Sequence, residues 1–100
     1  MKLLIVGAGE MGRWLADTVD ADVAFTDADP AVAEAAADPR AARAVENDVK
    51  ESFDAVGIAV PMSVGDEAIA TYAPLAEAVV LDLSGVMDRP LAAMAGHAPG

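Results

Sequence analysis

LLIVGAGEMGRWLADTVDADVAFTD, residues 3–27, is the stretch from which the fold is read. Residues 3–6 are a short apolar run ending at a glycine, the pattern of a strand buried on both faces. Gly7, Gly9 and Gly12 follow with the spacing G-x-G-x-x-G. Met11, Trp14, Leu15 and Val19 then recur at helical spacing, so this face is expected against a sheet. Residues 23–26 read as a second strand, closed by Asp27. In a strand–turn–helix context each glycine has a task. The first permits a tight turn, the second lets a phosphate approach the backbone, and the third lets helix and strand pack closely. The N–H groups of Glu10, Met11 and Gly12 would then face a pyrophosphate, helped by the helix dipole. Asp27 is positioned to accept hydrogen bonds from the adenosine ribose and to repel a 2′-phosphate. A dinucleotide is the expected ligand, NAD rather than NADP.

Working outward, Pro30 opens an alanine-rich helix with Val32 on one face and Asp29 as its cap. Asp38 and Pro39 mark a break. A weak third strand is expected near residues 43–45 and a clearer one over 53–60, where Gly57 implies close backbone approach. Residues 64–75 read as a helix with Ser63 as a cap, 79–83 as a fifth strand, and 89–95 as a further helical stretch. Strands alternating with helices give an α/β, Rossmann-like parallel sheet with helices on both faces. Ligands of such sheets sit beyond the carboxyl ends of the strands. This places Val60, Pro61, Met62 and Ser63 as a cofactor wall, with Pro61 stiffening the loop. Ser84, after the fifth strand, is a candidate contact for substrate or nicotinamide. The chain ends in loop-type sequence, so residues 1–100 are expected to be an incomplete domain followed by further strands and a catalytic domain.

Composition excludes several functions. The chain has 17 acidic residues against 6 Lys and Arg, a formal net charge of −11. Such a field repels nucleic acid and anionic lipid. It suits a salt-rich cytoplasm, and a halophilic source is expected. No apolar run is long enough for a membrane span, and no signal peptide is seen. With no cysteine there is no thiolate nucleophile or cysteine metal cluster, and no metal is expected. The expected location is cytoplasmic. His97, the single histidine, lies in a terminal loop.

Three segments carry a family resemblance: VGAGEMGRWLA at 6–16, VPMSV at 60–64 and LDLSGVMDRPLAAM at 81–94. Together they resemble the N-terminal, nucleotide-binding portion of prephenate dehydrogenases of the tyrosine pathway, in a haloarchaeal version. The resemblance implies oxidative decarboxylation of prephenate to 4-hydroxyphenylpyruvate, with hydride transfer to NAD. It also implies a catalytic histidine in a histidine-proline motif beyond residue 100, and a homodimer formed through a downstream helical domain. His97 precedes Ala98 and does not match that motif. Gly85, Val86 and Met87 stand where the family has serine, valine and lysine, so Ser84 is shifted by one position. Related readings are an arogenate, β-hydroxy-acid or F420-linked dehydrogenase, or a non-catalytic nucleotide-sensing domain.

Overall fold

The computed structural model describes residues 1–83. Five strands, β1 (Lys2–Val6), β2 (Asp22–Thr26), β3 (Arg43–Ala44), β4 (Phe53–Ile58) and β5 (Ala76–Asp82), form one sheet in the order β3-β2-β1-β4-β5. All pairings are parallel. Helices α1 (Glu10–Thr18), α2 (Pro30–Ala37) and α3 (Met62–Tyr72) join β1 to β2, β2 to β3 and β4 to β5, while residues 45–52 carry the chain from β3 to β4 without a helix. The α/β architecture expected from the sequence is present.

Strand alternation splits the interior into two cores. Leu3, Ile5 and Phe25 pack with Leu15 of α1 and Ala33, Ala36 and Ala37 of α2. Leu4, Val6, Val56 and Ile58 pack on the opposite face with Ala68 and Tyr72 of α3. β1, flanked by β2 and β4, is the central strand, and Leu3 through Val6 are all buried. Alanine on the inner face of α2 lets that helix lie close to the sheet. Its start is fixed as expected: Pro30 occupies the first turn and the Asp29 carboxylate accepts the Ala31 N–H at 3.0 Å. Gly57 also behaves as expected, because a Cβ there would lie 2.7 Å from Leu15 Cδ2.

Several sequence expectations are corrected. Trp14 is not a core residue but is 45% exposed. α2 buries alanines and carries Val32, placed on one face of it by the sequence, on its outer side. β4 ends at Ile58, two residues before Val60. α3 begins at Met62, so Ser63 lies inside its first turn and does not cap it; Pro61 holds the cap position without a side-chain bond. A 3₁₀ turn, Ala73–Leu75, closes that helix, and β5 starts earlier than expected, at Ala76. Ser84, Gly85, His97 and the helix expected over 89–95 lie outside the described residues. Among the described residues no helix is long and apolar enough to cross a membrane.

Candidate functional site

The site is built on the turn that leaves the central strand. Gly7 has φ +101°, a conformation that side chains rarely tolerate, and its N–H donates to the Thr26 carbonyl at 2.8 Å. A Cβ on Gly7 would collide with the Ala59 carbonyl, and one on Gly12 with the Gly7 carbonyl. These two glycines are therefore demanded by the fold. Gly9 is different. Its φ is −80°, and among the described residues a Cβ there would meet no atom within 4 Å beyond its own chain neighbours and helix backbone. Packing does not require glycine at position 9, so its bareness leaves room over the turn.

Gly9 is also the N-cap of α1, and among the described residues no side chain caps that helix. The N–H groups of the first turn, from Glu10, Met11 and Gly12, thus lack a side-chain acceptor. α2, capped by Asp29, shows the alternative this chain uses elsewhere. The Met11 side chain is buried in the interior, leaving its backbone as the part that can face a ligand. The Glu10 side chain is exposed. Arg13, one turn along, donates from Nε to the Gly9 carbonyl at 3.2 Å.

Asp27 closes the turn from the side. Its Oδ2 accepts the Ala8 N–H at 2.8 Å, and its Oδ1 accepts the Asp29 N–H at 2.9 Å. The carboxylate thereby ties the end of β2 to the glycine turn while remaining partly exposed. Each oxygen keeps a second lone pair for a ligand hydroxyl.

A cavity of about 510 Å³ opens beyond the carboxyl ends of the strands. Gly7, Gly9, Asp27, Val60 and Pro61, all expected from the sequence, line it. Ser63 is exposed and does not line it. Met62 is placed at the start of α3. Three residues beyond those expectations, Thr26, Asn47 and Tyr72, also line the cavity. Thr26 Oγ1 donates to Asn47 Oδ1 at 2.7 Å, and the Tyr72 hydroxyl donates to the Asn47 carbonyl at 3.0 Å. Burial raises the Tyr72 pKa above the ordinary phenol value, opposed in part by its hydrogen-bonding contact with Thr26. The phenol stays protonated at neutral pH and serves as a donor. The spacing of Val64, Ala68 and Tyr72, four residues apart along α3, is the readable signal for this wall.

A parallel sheet with a glycine turn after its central strand, an acid at the end of the next, and a cavity over both is a nucleotide-binding arrangement. Solved structures share the fold. Shikimate 5-dehydrogenase from Thermus thermophilus, in complex with NADP(H) and shikimate, is 27% identical with a TM-score of 0.64, covering 82% of this chain and 34% of that one. Myo-inositol dehydrogenase from Lactobacillus casei, in complex with NAD(H) and myo-inositol, is 26% identical with a TM-score of 0.61, covering 82% and 27%. A Sinorhizobium meliloti protein described as a myo-inositol dehydrogenase is 28% identical with a TM-score of 0.61, covering 79% and 26%. This is a Rossmann-fold domain. It is related to several dehydrogenase families, and it spans about a quarter to a third of the length of these structures. No family model matches the chain, and no curated protein matches it. The Rossmann domain thus stands on its geometry and on likeness to solved structures.

Proposed function

We propose that this chain binds NAD and forms the cofactor-binding portion of a dehydrogenase. The observation that carries the reading is Gly9: a glycine that packing does not require, at the uncapped start of α1 and on the wall of the cavity. The N–H groups of Glu10, Met11 and Gly12 would hold the pyrophosphate, and Asp27 the adenosine ribose. Val60 and Pro61 would form an apolar wall, with Met62 and Ser63 following at the start of α3. Bound NAD supplies a hydride acceptor; the residues named here bind it, orient it and exclude water from it. The carboxylate of Asp27 supports NAD over NADP, because a 2′-phosphate would meet a fixed negative charge.

At the finer level we assign the reaction as oxidative decarboxylation of prephenate. This rests on the resemblance of segments 60–64 and 81–94 to prephenate dehydrogenases. In that reading residues 1–100 are the NAD-binding part, and Ser84 assists near the substrate. The proton-abstracting histidine and the dimer-forming helices lie in sequence outside these residues. The 100-residue chain by itself is then expected to bind NAD without turning over prephenate, and measurable turnover would overturn this division of roles.

Gly9→Val tests the primary reading. It should weaken NAD binding more than about tenfold by filling the space a phosphate needs, a loss of about 1.4 kcal/mol or more. The melting temperature should stay close to that of the parent. Calorimetric titration with NAD, beside a thermal melt, reads both. Unchanged affinity in a folded variant would refute the assignment.

A further inference from the structure

The floor of the cavity holds three polar side chains from three parts of the chain. Thr26, at the end of β2, is fully buried, so its hydroxyl needs a partner inside the protein. It finds one in Asn47 Oδ1, at 2.7 Å. Tyr72, at the end of α3 and 9% exposed, donates to the Asn47 main-chain carbonyl at 3.0 Å. Asn47 is thus gripped through its side chain by β2 and through its backbone by α3, although its own surroundings are loop and it is itself exposed. With Oδ1 turned toward Thr26, the carboxamide nitrogen directs its two N–H donors away from that bond. Asn47 lines the cavity, as do Asp27 and Glu67, whose carboxylates only accept. The Val64 and Ala68 positions of α3 add apolar wall beside them.

We propose that Asn47 reads the base of the bound nucleotide, its Nδ2 donating to a ring nitrogen of a purine, with Thr26 and Tyr72 as positioning residues. This rests on the nucleotide reading above and adds to it the residue that recognises the base. A purine matches this wall in two respects. It is flat and largely apolar on its faces, and its edge carries unprotonated ring nitrogens that accept a neutral donor.

The test uses titrations of the chain with adenosine, NAD and nicotinamide mononucleotide, each followed by NMR, beside thermal melts. Adenosine carries the base without phosphate, and nicotinamide mononucleotide carries phosphate without a purine. Asn47→Leu removes the donors and should weaken adenosine and NAD binding about five- to tenfold, the range of one neutral hydrogen bond. Binding of nicotinamide mononucleotide should not change. Asn47→Asp keeps an acceptor for Thr26 but removes the donors, so it should weaken adenosine binding similarly even if Asn47→Leu folds poorly. Tyr72→Phe should weaken adenosine about threefold and leave nicotinamide mononucleotide unaffected, a selectivity that a merely structural role would not produce. Wild-type affinity for adenosine and NAD in folded Asn47→Leu and Asn47→Asp would overturn the proposal. If Gly9→Val abolishes NAD binding in the same series, the dinucleotide reading survives and only the base-reading role falls. A parent chain that binds neither adenosine nor NAD would overturn both.

Discussion

Asp27 has two tasks in one carboxylate. Toward the protein it accepts the Ala8 and Asp29 N–H groups, and toward the cavity it presents negative charge. Asp27→Ala should therefore change two observables together. Stability should fall by about 1–3 kcal/mol through the lost bonds to backbone. The preference for NAD over NADP, measured as a ratio of dissociation constants, should shrink by on the order of tenfold. Asp27→Asn, which keeps an acceptor but no charge, should recover part of the stability and none of the preference. The proposed ligand-facing task is read from the sequence alone, from an acid at the end of the strand after a glycine turn. The bond to Ala8 is not, since it joins residues 19 apart through the closure of β2 beside β1. The Thr26, Asn47 and Tyr72 cluster is hidden for the same reason. Its members are 21 and 25 residues apart and meet only across the folded sheet.

At the scale of elements, the sequence locates strands and helices well and their inner faces less well. α1 shows why. Its periodicity suggests that Met11, Trp14, Leu15 and Val19 all face inward. Gly12 decides otherwise, because it is pressed against the Gly7 carbonyl and must point to the turn. At about 100° per residue the buried arc runs from Met11 through Leu15 to Gly12. Trp14 falls about 60° beyond Met11 on the other side. Leu15→Ala should therefore cost about 2–5 kcal/mol in denaturant unfolding, while Trp14→Gln should cost well under about 1 kcal/mol. Equal losses would show that α1 packs by a different face. The start of α3 is misread from sequence for a local reason. A serine before an apolar stretch reads as a cap, but Pro61 already provides an extended lead-in, and the helix takes up Met62 and Ser63.

For the molecule as a whole, charge outweighs every other surface property. The Glu51 carboxylate bonds to both Arg43 and Lys2, drawing together the starts of β1 and β3 and the approach to β4. The Arg43 hydrogen bond, followed by that of Lys2, lowers the Glu51 pKa to about 2. A carboxyl lowered on folding stabilises above its unfolded value, near 4.5, and loses that contribution as pH falls through about 2. Glu51→Gln should thus lower the melting temperature at pH 7, and the gap should close between about pH 4.5 and 2; a constant gap would exclude the ionic cause. Elsewhere the excess of 17 acids over 6 Lys and Arg leaves mostly repulsion. Screening relieves it, so the melting temperature should rise from low to molar salt, and a flat response would argue against a salt-adapted surface.

The strand order also sets where the molecule would come apart. Among the described residues, β3 is two exposed residues at one border of the sheet, and β5 carries exposed Val79, Val80 and Leu81 at the other. β1, whose last residue leads directly into Gly7, is paired on both sides. Fraying begins where amides are least protected, at the borders. The glycine turn hangs from the strand that is last to loosen, so partial unzipping of either margin would leave its shape intact.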